Sequence, residues 1–432
     1  MFVICAIFPY GLDKRRDELY NKIGILCERF DLKQSVAILD FGTSKITAMV
    51  GSRGLNNSIC VDGVGVCDYD GLADGHFLAP EKLGAVIDRA ITAAENSARV
   101  KINKLYIGVP GDFLTCGVAD AAISLGKKRR VLDRDVDALH ELGNEHKDDP
   151  YRTVINIQPI YYTLDDDHKL IAPVGLSSTR LGGSISYVLC DNEFIKTVDA
   201  AVAAAGVNET EYVASSLAEV LFLFDDYKRD NCVMLADTGA LGTTFTIARG
   251  DGIARQYFFS WGGERITIAL AEAFEIPLAM AAALKRSVIL SLNPDYKPED
   301  DEPCIVRTEY KVEAGGEEAS FDMAAVNNIV EAELMLFARY IDRALSDCDY
   351  EFPEFTALSV TGGGLNIRGA TEFVSKCLNR DVEMVKPAQP LWDKPQLSSA
   401  LGLMDMVLTS EAEFSGFFGK LRRWAYRRQS GK

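Results

Sequence analysis

Ser35-Val36-Ala37-Ile38-Leu39-Asp40-Phe41-Gly42-Thr43-Ser44-Lys45 is the first clear element of the chain. Its apolar run reads as a buried strand that ends at Asp40, followed by a turn of glycine and hydroxyl residues. Lys45 to Val50 (KITAMV) reads as the strand that returns, which predicts a β-hairpin. The same pattern recurs 197 residues later. Cys232 to Ala236 (CVMLA) is apolar, Asp237 follows, Gly239 lies in the turn, and Phe245 to Arg249 returns as a strand. Two copies of one hairpin predict an α/β protein with two pseudo-symmetric lobes.

The residue types in these hairpins suit a phosphate clamp. Glycine at Gly42 and Gly239 lets backbone N–H groups come close to an anion. The hydroxyls of Thr43, Ser44, Thr243 and Thr244 can donate, and Lys45 offers a point charge. Asp40 and Asp237 are placed to hold Mg²⁺ through water, because that ion keeps much of its hydration shell. A third element, Phe355 to Thr361 (FTALSVT), reads as a strand running into Gly362-Gly363-Gly364, with a helix from about Gly369 to Leu378. Glycines there let a flat base and ribose lie against the backbone. Alone, an Asp-x-Gly is a plain turn and a glycine triplet is a tight connection; the three elements together carry the nucleotide reading.

Between the hairpins, residues 80–99 have helical spacing through Leu83, Val86, Ile87, Ala90 and Ile91. Residues 103–178 alternate strands (104–109, 153–157, 160–164) with a helix at 133–144, and read as a small α+β insertion. Residues 195–205 form a helix closed by Gly206. Helices are predicted at 266–274, 279–292 and 324–345.

Composition narrows the function classes. The chain has 432 residues, 48% of them hydrophobic, and a formal net charge of -17. So acidic a body argues against general nucleic-acid binding. Ten cysteines without metal spacing and four histidines (His76, His140, His146, His168) predict reduced, packed thiols rather than a zinc site. No apolar run reaches the ~20 residues that span a bilayer.

The end of the chain reverses the charge. Six Lys or Arg and no acid lie between Lys420 and Lys432. Phe414, Phe417, Phe418, Leu421, Trp424 and Ala425 recur at i, i+3, i+4, i+7, the stripe of an amphipathic helix, with Lys420, Arg422, Arg423 and Arg427 on its flanks and far side. Such a helix lies in the plane of an anionic membrane interface; a terminal helix docked on its own core is the alternative.

Leu39 to Lys45, Leu235 to Thr243 and Val360 to Ile367 resemble, in order and spacing, the two phosphate motifs and the adenosine motif of the actin–Hsp70–sugar kinase superfamily. Within it the chain is most similar to the FtsA family of bacterial actin-like division proteins, through Pro173–Leu176, Arg180–Ser184, Gly262–Thr267 and Gln396–Leu403. The resemblance covers roughly residues 35–428. It implies a ribonuclease-H-like, actin-like fold with ATP and Mg²⁺ in the cleft. It also implies a first lobe at 35–102 and 179–231, an inserted domain for self-association at 103–178, and a second lobe at 232–265 and 346–385. The outer part of that lobe, 266–345, would receive the C-terminal peptide of the tubulin-like protein FtsZ. A helix at 386–408 would close the first lobe, and 409–432 would be linker and membrane helix. Residues 1–34 are an N-terminal extension without an assigned role.

By the same resemblance, Gly263, Lys285, Arg286, Gly362, Gly363, Gly364 and Asn366 would face the nucleoside. The implied function is a self-polymerising, membrane-bound anchor for FtsZ filaments and further division proteins, peripheral to the cytoplasmic membrane at the division site. Leu241 stands where many relatives carry glycine, and no acid or glutamine is clearly placed to orient a water. Glu219, the nearest helical carboxylate after Ser215-Ser216, is left unassigned, so the expected activity is at most a weak ATPase. A small-molecule kinase, or an actin-like adaptor of a pilus, magnetosome or plasmid filament, are the competing readings.

Overall fold

The computed structural model describes residues 35–54, 57–290 and 308–414. Residues 1–34, the acidic, proline-bearing sequence 294–303 and the amphipathic stretch from 415 onward lie outside the described residues.

Two five-stranded sheets repeat one plan. In the first, β1 (Val36–Phe41), β2 (Lys45–Arg53), β3 (Ile59–Asp68), β4 (Lys104–Val109) and β5 (Glu209–Ala214) lie in the order 3-2-1-4-5. In the second, β6 (Val233–Thr238), β7 (Thr243–Arg249), β8 (Gly252–Phe259), β9 (Leu358–Thr361) and β10 (Val382–Met384) lie in the order 8-7-6-9-10. The pairings correspond one to one: antiparallel within each opening hairpin and its third strand, parallel for the last two strands.

The central strands read as unbroken apolar runs because both faces of each sheet are covered. Ala37, Leu39 and Phe41 enter a core shared with the helices Pro80–Ala98 and Asn192–Ala204. Their neighbours Val36 and Ile38 point the other way, against the helix Ser398–Phe414. In the second sheet Met234 and Ala236 face the core of helices Gly263–Phe274, Leu278–Ser287 and Met323–Ser346, while Val233 and Leu235 meet Val220 and Phe224. The helix expected at 279–292 thus ends at Ser287, where Val288 turns into extended backbone.

The insertion differs from its expected borders of 103–178. Lys104–Val109 pairs parallel with β1 and β5, so it belongs to the first sheet. The inserted four-stranded antiparallel sheet begins at Leu114–Arg130 and is completed by Ser177–Asp191, Arg152–Thr163 and Lys169–Leu170. The two strands expected at 153–157 and 160–164 are one strand; Pro159 pairs with Ile185 beside a register irregularity. The helix Asp133–Gly143 covers this sheet through Val136 and Leu139, and Asp135 holds Arg129 by two hydrogen bonds of 2.6 and 2.8 Å.

The inserted sheet touches both lobes. Phe194, just past its last strand, packs among Phe41, Phe77 and Phe113 of the first lobe. On the other side Ser186 Oγ and Cys116 Sγ donate to the Ile253 carbonyl of β8 at 2.6 and 3.0 Å, and Asp251 N–H donates to the Pro159 carbonyl at 3.0 Å.

Candidate functional site

The ends of β1 and β6 meet across the cleft between the lobes. Each hairpin closes on itself: Gly42 N–H donates to the Lys45 carbonyl at 2.9 Å, and Gly239 N–H to the Gly242 carbonyl at 2.8 Å. The two turns are then linked, since Leu241 N–H donates to Thr43 Oγ at 3.1 Å. The predicted pair of clamps is therefore brought together, with Ser44 exposed at the tip and Lys45 half-buried at the first turn.

Asp40 and Asp237 sit at the strand ends that open this cleft, both half-buried. Asp40 Oδ1 accepts from Ser399 Oγ at 2.5 Å. Burial pushes the Asp40 carboxyl above its usual range, against the pull of the Ser399 bond and of Lys45. Burial, and then the charge of Asp40, pushes Asp237 up to about 7. Two carboxylates that repel each other in a closed space are a place where a cation is favoured. Among the described residues no three acidic, histidine or cysteine side chains converge to grip a metal directly. Two aspartates with one cation between layers of water would fit that limit, and Mg²⁺ is an ion that usually keeps several of its waters.

The glycine triplet forms the other wall. Gly362 has φ of +82°, and a Cβ there would lie 2.3 Å from Asp237 Oδ1 and 2.4 Å from the Thr238 carbonyl. Gly364 N–H donates to the Thr238 carbonyl at 2.7 Å, and Gly263 N–H to the Gly239 carbonyl at 2.9 Å. Gly363 and Asn366 are exposed on the outer side of this turn, where a nucleoside could lie. Lys285 comes to the same edge and donates to the Gly263 carbonyl at 2.7 Å; burial holds its ammonium below the ordinary lysine range.

Two expected site residues are turned elsewhere. Thr243 is fully buried and donates to the Trp261 carbonyl at 2.7 Å, so its hydroxyl is not offered to a phosphate. It pairs with Thr238, whereas Thr244 pairs with Asp237, and neighbouring strand residues face opposite sides. Thr244 instead lies against Gly111. Arg286 is exposed, one residue beyond Lys285 and so about 100° further round the helix. Of the residues expected to meet a membrane, Phe414, Phe417, Phe418, Lys420, Leu421, Arg422, Arg423, Trp424 and Arg427, only Phe414 falls within the described backbone, as the last residue of the helix that begins at Ser398.

Three residues that line this site were not selected from the sequence. Ser399 follows Ser398, whose hydroxyl meets that of Thr361 at 2.7 Å, so the start of the closing helix touches both lobes. Glu219 is 2% exposed, and burial together with the charges of Asp237 and Asp40 raises its carboxyl well above the usual range. Ser215 lies four residues before it. The readable signal was the spacing: a strand, then Ser215 and Glu219 at i and i+4 on one helix face.

Two pseudo-symmetric sheets, each led by an Asp-ended hairpin into a common cleft, place the chain in the actin-like class of α/β folds. Residues 234–402 match the family model described as cell division protein FtsA, and residues 111–189 match the SHS2 domain inserted in FtsA. Cell division protein FtsA of Escherichia coli is 25% identical over 254 residues, 59% of this chain and 60% of that protein, so the match spans less than two thirds of that relative's length. FtsA of Pseudomonas aeruginosa is 21% identical over 382 residues, 87% of this chain and 89% of that one. Among solved structures, the PilM–PilN type IV pilus biogenesis complex superposes with a TM-score of 0.57 at 16% identity, over 86% of this chain and 98% of that chain. The chain belongs to the FtsA family of cell division proteins.

Proposed function

We propose that the chain binds Mg-ATP in this cleft, self-assembles when loaded, and tethers FtsZ filaments to the cytoplasmic membrane at the division site. The observation that carries the reading is the link between the two hairpin turns across the cleft, Leu241 N–H to Thr43 Oγ. It leaves two glycine turns, two aspartates and one lysine around a single space. Gly42, Thr43, Ser44, Lys45, Gly239 and Thr244 would line the phosphates, Asp40 and Asp237 would face the cation's waters, and Gly263, Lys285, Gly362, Gly363, Gly364 and Asn366 would border the nucleoside. Bound ATP supplies the negative charge that Lys45 and the turn amides answer.

The route from cleft to membrane is one helix. Its first turn contacts Asp40 and Thr361 through Ser399 and Ser398. Its 17 residues are about 25 Å long, and the basic amphipathic stretch follows directly. Further along, Arg53 holds Asp405 and Lys104 reaches Glu411. One helix fixed to the first sheet thus runs from the cleft to Phe414, at the start of the proposed membrane segment. The outer part of the second lobe, 266–345, would take the FtsZ peptide and the inserted sheet would serve self-association. Turnover would be weak at most.

The test is co-sedimentation with anionic vesicles, using the full chain and a chain ending at Glu413, with and without Mg-ATP. Each basic residue near anionic lipid adds about 1 kcal/mol and each sunk aromatic more, so removing the segment should cut vesicle binding by at least tenfold. Mg-ATP should strengthen binding of the full chain, because assembled copies bind together. Equal sedimentation of both forms would overturn the tether. Failure of an immobilised FtsZ C-terminal peptide to retain the chain would overturn the FtsZ assignment while leaving the membrane reading in place. Phosphorylation of a small molecule by the truncated chain would favour a kinase.

A further inference from the structure

Two buried oxygens on one helix face have no hydrogen-bond partner. The helix Ser215–Leu223 starts where β5 ends. Ser215 Oγ and Glu219 Oε1 are both covered and unpaired, in residues 7% and 2% exposed. They stand at i and i+4, one above the other. The direction in which Ser215 faces is fixed by its neighbours. A Cβ placed on Gly108 would lie 2.7 Å from Ser215 Oγ and 3.5 Å from Asp40 Oδ1, so these two groups flank the same point on β4. Glu219 stands one turn further along the same face, its Oε1 covered and unpaired. The helix is held there firmly: the closing helix packs so tightly that a Cβ on Gly402 would reach the Ala218 carbonyl and Glu219 N at 2.8 and 3.0 Å.

A buried acid one helical turn from the point where Ser215 and Asp40 meet, with an oxygen unsatisfied, is costly unless something polar fills the gap. Direct chelation by three side chains is not available among the described residues. A cation that keeps its waters does fit, because each water can bridge from the ion to one oxygen, and Glu219, Asp40 and Asp237 are all acceptors.

We propose that Ser215 and Glu219 form a third wall for the hydrated divalent cation between Asp40 and Asp237, accepting hydrogen bonds from its water shell, and that Glu219 sets the affinity of the cleft for that cation. The proposal rests on the nucleotide-cleft reading but concerns the cation alone, with or without nucleotide. Glu219 is a positioning residue here: it acts on the ion through water.

The test uses the full chain with MgCl2 as the probe, followed by thermal unfolding, and with ATP titrated separately with and without Mg²⁺. In the wild type, Mg²⁺ alone should raise Tm. Glu219→Gln should weaken the apparent Mg²⁺ affinity by about tenfold, as loss of an outer-shell partner does. Glu219→Asp should recover part of it. Ser215→Ala, which removes only a hydroxyl, carries the same test in milder form should the Gln variant fail to fold. Wild-type Mg²⁺ affinity in Glu219→Gln, alongside its loss in Asp40→Asn, would overturn the proposal, as would the absence of any Mg²⁺ effect in the wild type. A Glu219-dependent Mg²⁺ effect in a protein that binds no ATP would uphold it and overturn the nucleotide reading instead.

Discussion

Gly362→Ala should abolish ATP binding and lower the stability of the chain by about 3 kcal/mol. Two costs combine. The residue sits at φ +82°, in the left-handed region, where a Cβ costs about 1–2 kcal/mol. The new methyl would also lie 2.3 Å from Asp237 Oδ1 and 2.4 Å from the Thr238 carbonyl, far inside contact distance. Neither neighbour can yield cheaply. Thr238 is in the strand that pairs parallel with β9, where Asp237 lies beside Thr361, and its carbonyl already accepts from Gly364. Room can be made only by shifting the glycine turn or the aspartate, and both border the proposed ligand. Gly316→Ala isolates the first cost: Gly316 has φ +84° in a hairpin turn, with nothing within 4 Å of its Cβ position. It should lose roughly 1 kcal/mol and keep ATP binding. Thermal unfolding and titration with a fluorescent ATP analogue measure both effects; equal losses in the two variants would show that contact with Asp237 is not what shapes the cleft.

Asp237→Asn should make the nucleotide-free protein more stable at pH 8 and destroy its response to Mg-ATP. Burial first, and the Asp40 charge second, raise the Asp237 acid to about 7, above its value of 3.8 in an unfolded chain. Between those values the unfolded chain gives up a proton that the folded chain retains, so the folded state is progressively less favoured as pH rises. The sign follows: the contribution of this acid is harmless below about pH 4, and its destabilising effect grows until about pH 7 and is constant above. Asparagine has no such term. The Tm of the variant should therefore match the wild type near pH 4 and exceed it by several degrees at pH 8. Saturating Mg-ATP should reverse the order at pH 8, because the wild type alone gains from the cation. Parallel pH profiles would show that Asp237 ionises without cost.

Much of this site is legible in the chain because its strands are covered on both faces. Leu39 and Ile38 point to opposite cores, so the sequence around Asp40 is apolar without alternation, and the hairpin stands out. The same holds around Asp237. What sequence could not reveal are directions. Thr243 and Thr244 are the same residue type, and only the register against β6 shows that the first faces Trp261. Lys285 and Arg286 differ by a step around a helix whose orientation depends on packing with Gly263. The borders of the insertion were hidden because Lys104–Val109 is an ordinary strand whose partners, Ile38 to Asp40 and Glu209 to Ala214, are far away along the chain. Glu219 is legible only as the nearest helical carboxylate after Ser215-Ser216; its burial, and the effect on it of two aspartates far away in the chain, come from the tertiary fold.

The bond from Ser399 to Asp40 joins residues 359 positions apart. Asp40 is therefore synthesised long before the helix that completes its surroundings. During synthesis, then, β1 must wait with one face uncovered, and the cleft has no finished wall until residues 398–408 emerge. The proposed nucleotide cleft is consequently incomplete in a nascent chain until that helix has formed. Nucleotide binding of the proposed kind, and any assembly that depends on it, would begin only once that helix is in place.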